Sequence, residues 1–234
     1  MNSNALLTVL VAGVAALDAT PVAQTLMSQP LVTATLLGSL WGDWRTALAV
    51  GGVLQILAAS TLPVGARTPE DYSIGGVVGA GTALLLAARA PFEHMRESAA
   101  LVGVLAGMLA ATAGVPLLRW QRRRNEGLAR WCEAELRAGR EGALGAAHVA
   151  AIAFAFAVGV ASCAAWIGVA SLAGPLVERH SLRLAGAWTL LQPAWMGFGF
   201  AQLLHAFVQR RLVRAAVFGA ALIGAWMAIV LGVA

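Results

Sequence analysis

The stretch from Asp18 to Gly81 is apolar enough to lie in a membrane, yet it holds polar groups and helix breakers at close intervals. Asp18, Gln24, Gln29, Pro30, Asp43, Arg45, Gln55, Pro63, Pro69, Glu70 and Asp71 all fall within it. A charged side chain at mid-bilayer costs about 2.5–3.5 kcal/mol even on the lenient insertion scale. Irregular backbone is tolerated at that depth only inside protein or along a water-filled cavity. A lipid-facing helix cannot carry this load. The stretch is therefore expected to line a cavity and to be the working part of a transporter.

The rest of the chain fits that reading. Hydrophobic residues make up 59% of the sequence and charged residues 12%, against about 25% charged in a soluble domain. This is the composition of an all-α polytopic membrane protein. Apolar runs lie near 5–17, 31–41, 46–62, 74–90, 98–118, 143–174, 184–208 and 215–233. A full crossing takes about 20 residues, so 98–118, 184–208 and 215–233 each suit one. Run 143–174 is long for one crossing, and is read as tilted or joined to an interfacial helix. Runs 5–17 and 31–41 are short, the pattern of re-entrant hairpins.

The net charge of +5 comes from sixteen basic residues, every one an arginine. In a membrane chain the positive-inside rule accounts for it without any nucleic-acid partner. Residues 119–140 carry seven arginines and three glutamates. Leu128, Trp131, Cys132 and Leu136 share one helical face there. Segment 119–142 is thus read as cytoplasmic, either as an amphipathic helix on the membrane surface or as a solvated loop. The cluster at 209–214 is placed on the same side. Residues 175–183 then face outward, where Arg179 and Arg183 run against the rule. One membrane-embedded domain, 1–234, is expected. The N-terminus lacks a basic leader region, so it is read as part of the mature protein.

Several chemistries find no support. No GxxxxGK[ST] loop, HExxH motif or paired-cysteine spacing occurs, so neither a nucleotide-driven pump nor a metal site is indicated. Cys132 and Cys163 suggest no disulfide. His94, His148, His180 and His205 are scattered and read as interfacial rather than catalytic. No cofactor is implied. Small residues at helical spacing, Gly75-Gly79 and Gly103-Gly107, are the ordinary means of close helix packing in membranes.

Three polar residues stand out. Asp43 follows Gly42 at the tip of a hairpin, where it either accepts hydroxyl groups or caps the helix starting near Thr46. Gln55 follows Gly51-Gly52. Its uncharged amide both donates and accepts, which suits a neutral polyol or a bond between helices. Asp71 follows Pro69-Glu70 and precedes the helix at Ile74, as a ligand or as part of a solvated turn.

These residues carry a family resemblance. QPLVTATLLGSLWGDWRTALAVGGVLQIL followed by VGARTPEDYSIGGVVGAG resembles the enzyme IIC subunit of mannose-family sugar phosphotransferase systems. The family pattern falls on Pro30, Gly38, Gly42, Asp43, Thr46, Gly51, Gly52, Gln55, Gly65, Ala66, Pro69 and Asp71. It is strong over about 10–85, looser over 184–232, and weak between. Ala47, Ala58-Ala59, Arg67, Glu70 and Gln29 depart from it. The resemblance implies a helical permease with re-entrant hairpins and a mobile sugar-binding core, here 18–90. It implies a IID membrane partner and a trimer of IIC–IID pairs in the bacterial cytoplasmic membrane. It also implies a hexose-type sugar, phosphorylated by a cytoplasmic IIB subunit that IIA charges. Asp43, Gln55 and Asp71 are then the substrate-binding residues. Pro30, Gly42, Gly51, Gly52, Gly65 and Pro69 shape the hairpins. The departures leave room for a non-transporting assembly or sensory subunit, and an ion-coupled carrier is a further alternative.

Overall fold

Proline and glycine set the first hairpin. In the computed structural model, which describes residues 3–19, 22, 24–61, 68–90 and 92–230, helix α1 (Ser3–Ala19) precedes α2 (Pro30–Trp41) and α3 (Trp44–Ser60). Pro30 opens α2, where its fixed φ suits the first turn and its missing N–H leaves no orphan donor. Gly42 closes α2 in the left-handed conformation at φ 74°, which costs a residue without Cβ nothing. Asp43 then starts α3 at once: Thr46 donates from its backbone N–H to Oδ1 at 3.2 Å and from Oγ1 to Oδ2 at 2.8 Å.

Two helices folded about so short a turn must bring residues equidistant from it face to face. They do. A Cβ on Gly38 would lie 2.8 Å from Ala47 Cβ, and one on Gly51 only 2.4 Å from Ala34 Cβ. Further along, Gln55 accepts the Leu31 N–H. Gly52 meets nothing within 4 Å, so the packing gives it no part in shaping the hairpin. With 12 residues, α2 is about 18 Å long and falls well short of a hydrocarbon core of about 30 Å. Gly65, together with Pro63, Ala66 and Arg67, lies outside the described residues.

Helix α4 (Tyr72–Ala87) is the most buried element, with Ile74 through Leu84 enclosed on every side. It crosses α5 (Glu93–Arg137) through Gly75, Gly79, Gly103 and Gly107. One apolar core joins α1, α2, α4 and α6 (Ala143–Leu172) with Ala47 of α3 and Ala106 and Ala110 of α5; a second joins α3, α5 and α8 (Ser181–Phe207) with Ala83 of α4 around Leu54, Val104 and Trp188. Between α6 and α8 lies the short α7 (Gly174–Arg179). Val177 of α7 packs with Leu86 and Met95. The last helix, α9 (Arg211–Val230), leaves Leu212, Phe218, Ile223 and Trp226 exposed.

The structure extends one expected element. Run 98–118 does not end where its apolar character ends: α5 continues through Pro116 and the arginine-rich segment as a single helix of 45 residues. Hydropathy changes at Arg119, but helix formation does not, because arginine, glutamate and leucine are good helix formers. Glu133 and Arg137 add an i,i+4 ion pair at 3.2 Å. At about 68 Å, α5 is more than twice the hydrocarbon thickness. Past Pro116 it packs on α6, with Trp120 against Phe154 at 5.1 Å, and its last turns carry mostly exposed side chains. This end of the helix is solvated, and the hydrogen bond from Arg140 holds the Glu135 carboxyl below its ordinary range.

Candidate functional site

Gln29, Gln55, Glu70 and Asp71 of the 18–81 stretch gather at the end of the bundle where α3 finishes and α4 begins. Gln55 is the joint. Its Oε1 accepts the Leu31 N–H at 3.2 Å, and its Nε2 donates to Gln29 Oε1 at 2.8 Å. The first N–H groups of a helix have no partner of their own, and Gln29 offers α2 no side-chain cap. Gln55 supplies one from the neighbouring helix. One donor and one lone pair of its amide are left over, and Gln55 lines a cleft of about 390 Å³. Gln29, Thr61, Glu70, Tyr72 and Ser73 also line this cleft. Ligand pockets are typically about 300–1,000 Å³.

Asp18 fixes the approach to Gln29. It stands in the last turn of α1, where the helix dipole disfavours an anion. Three donors offset that: Thr25 N–H at 2.6 Å, Thr25 Oγ1 at 2.7 Å and Ser28 N–H at 2.8 Å. The loop so held includes Gln24 at φ 52° and Leu26 at φ 70°, conformations that side-chain-bearing residues seldom adopt. The sequence reading gave Asp18 no role. A carboxylate at an unfavourable helix end signals that it needs donors, though not which residues supply them. Asp18→Asn would set an amide NH₂ against the Ser28 N–H, with an expected loss of about 2 kcal/mol. Thermal unfolding, and new protease cleavage within 22–28, measure it.

Asp71 begins α4. Its side chain accepts the Ile74 N–H at 3.3 Å, and its own N–H donates to Ala111 O at 2.9 Å. It faces a second cavity, of about 360 Å³, on the far side of the Pro69–Asp71 break. Gln121, Arg122 and Asn125 of α5 close that cavity. Arg122 Nη1 reaches Thr68 Oγ1 at 3.5 Å, so the break lies at the arginine-rich end of the molecule.

Asp43 lies elsewhere. It caps α3 at the opposite end of that helix from Gln55, about 18 Å away by helical rise. Arg96 Nε stands 3.5 Å from its Oδ2. The structure thus brings Gln55, Pro30 and Pro69 to one cleft, places Asp71 just behind it, and separates Asp43 from both. Because serine caps a helix as well as aspartate does, Asp43→Ser is expected to keep both stability and transport. Asp43→Val loses the cap and about 1 kcal/mol. Thermal melting and uptake of the two variants side by side check this, and uptake lost in the serine variant would bring Asp43 back to the ligand.

The profile of the family described as "PTS system sorbose-specific iic component" matches residues 3–234. No curated protein sequence matches significantly. Among solved structures, one described as "Structure of membrane protein" superposes with a TM-score of 0.64 at 16% identity, covering 97% of this chain and 96% of its own. The cryo-EM structure of the mannose transporter ManYZ in complex with microcin E492 superposes with a TM-score of 0.57 at 17% identity, with the same coverage. Helices α5 and α6 are long and apolar enough to cross a bilayer, and the fold is that of an all-α membrane permease with short re-entrant hairpins. The chain belongs to the sorbose-specific IIC family, the membrane sugar-transport components of the mannose-type phosphotransferase system.

Proposed function

We propose that this chain binds a hexose-type sugar in the cleft between the α2–α3 hairpin and the Pro69–Tyr72 break, and passes it across the membrane for phosphorylation by a separate IIB subunit. The Gln29–Gln55 amide pair carries the reading. Amides present donors and acceptors without charge, which suits vicinal hydroxyls. An analogue lacking a hydroxyl leaves such a group unpaired, at a cost of about 1–3 kcal/mol. Tyr72 adds an aromatic wall and Glu70 a carboxylate. In this reading Gln55 contacts the sugar, while Asp43 and Asp71 act through the helix starts they cap.

Family membership supports the partners in this reading. A IID-type membrane subunit pairs with the chain, the pairs form trimers in the bacterial cytoplasmic membrane, and IIA charges IIB. The chain acts as one domain over 1–234, with 18–90 as the sugar-binding core and 119–142 on the cytoplasmic side. The chain contributes binding and passage, and the phosphoryl group travels on other subunits. Sealed vesicles holding the chain and its IID-type partner, supplied with IIB, IIA and a phosphoryl donor, test the proposal against a panel of hexoses that includes sorbose and mannose. Sugar phosphate is expected to accumulate only with the donor present. Free sugar concentrated by an ion gradient alone would make the chain an ion-coupled carrier. No sugar phosphate with every subunit present would make it an assembly or sensory subunit.

A further inference from the structure

The end of the bundle opposite the Arg119–Arg124 cluster holds basic residues that the sugar site does not explain. A cavity of about 510 Å³ opens there between the start of α5, α7 and the start of α8. His94, Arg179, His180 and Arg183 converge on it from segments far apart in sequence. The junction is built: Ser98 Oγ donates to the Ser181 carbonyl at 2.6 Å and pins the start of α8 to α5. The one acid in the lining, Glu178, is already engaged by Arg89. Among the described residues neither Arg179 nor Arg183 has a carboxylate within ion-pair distance.

The setting points to the ligand. His94 and Arg119 lie on the same helix, about 38 Å apart by helical rise. Headgroup regions on the two sides of a bilayer are separated by about the same distance. With the Arg119–Arg124 cluster on the cytoplasmic side, this cavity sits at headgroup level in the opposite leaflet. Leu182 in the lining is 74% exposed, and Leu172 and Leu176, a few residues before Arg179 in the chain, are 81% and 61% exposed, apolar surface suited to acyl chains. Positive charge is scarce on that side of membrane proteins, so two unpaired arginines converging on one cavity need a counter-ion.

We propose that His94, Arg179, His180 and Arg183 form a binding site for a phosphate-bearing anionic headgroup, occupied by an outer-leaflet lipid. Guanidinium groups match phosphate oxygens in pairs, and the exposed leucines select a lipid over a free anion. The site is independent of the sugar cleft, which lies at the other end of α3 and α4.

The test uses the full chain in nanodiscs of phosphatidylcholine, with and without phosphatidylglycerol. Native mass spectrometry counts retained lipid, and thermal melting reads the gain in stability. Phosphatidylglycerol is expected to be retained and to raise the melting temperature. Each arginine near a lipid surface contributes roughly five-fold to binding, so R179Q/R183Q should weaken retention about 30-fold. Melting in pure phosphatidylcholine should not change, because both side chains are exposed. If that baseline falls, R179K/R183K must restore retention, and failure to do so overturns the site. Equal retention by wild type and R179Q/R183Q also overturns it, as does loss of retention only in an R119Q/R122Q/R123Q variant. A gain reproduced by inorganic phosphate in pure phosphatidylcholine would overturn the lipid as occupant.

Discussion

Gln55→Leu should reduce sugar uptake by about 100-fold or more while the protein still inserts and assembles. The variant removes every polar group Gln55 offers to the cleft. Two lost hydrogen bonds at about 1–2 kcal/mol each account for a loss of that size. The structural cost is smaller. Leucine keeps much of the volume, and the Leu31 N–H that Gln55 caps is exposed, where water can replace the lost acceptor. Uptake measured beside membrane-inserted protein separates the two effects. A companion variant, Gln29→Ala, dissolves the amide pair without touching the cap on Leu31, and should lower uptake by about ten-fold. Wild-type uptake in both variants would remove the amide pair from the sugar site. A Gln55→Leu chain that fails to insert would leave Gln29→Ala as the deciding measurement.

Much of the hairpin was legible because its punctuation is local. Pro30, Gly42 and Asp43 announce a start, a stop and a new start by chemistry that needs no partner. Both alternatives for Gln55 stayed open in sequence, and the structure shows the bond between helices without removing the other. Its partner was within reach: once Gly42-Asp43 is taken as the turn, residues equidistant from it must meet, and that pairs position 55 with positions 29–31. The separation of Asp43 from Gln55 follows from the same arithmetic, since a helix of 17 residues keeps its ends apart. What could not be read locally was long-range. Nothing near Asp18 in sequence shows that its donors sit at Thr25 and Ser28, because the loop between them folds back through left-handed residues. The continuity of α5 was hidden for a different reason. Hydropathy reports where a helix meets lipid, not where it stops. Likewise the convergence of His94 with residues 179–183 depends on α7 and α8 docking on α5, which no short window contains.

Gly103→Val is expected to have the largest effect on the fold. A Cβ at Gly103 would lie 2.6 Å from Gly79 O and 2.7 Å from Ala83 Cβ, and one at Gly107 would lie 2.7 Å from Gly75 O. The obstacles include main-chain carbonyls, so no rotamer change relieves them and the two helices must part. In a membrane the apolar solvent offers little drive to hold helices together, and close packing carries much of the association. Separation therefore forfeits contacts along the whole crossing. Overpacking of this kind costs about 3 kcal/mol, a large share of the stability of an ordinary domain. The damage also reaches the sugar cleft. Asp71, at the start of α4, bonds to the Ala111 carbonyl of α5, and a Cβ on Gly114 would come within 2.6 Å of Asp71 Cβ, so moving α4 off α5 pulls the Pro69–Asp71 break out of register. Gly103→Val should thus melt well below wild type and take up no sugar. Gly52→Ala is the control, since a Cβ there meets nothing within 4 Å and alanine favours helix by about 1 kcal/mol. Its melting temperature should equal or exceed that of wild type. If Gly103→Val melted like Gly52→Ala, the α4–α5 crossing could not be the contact that positions the break.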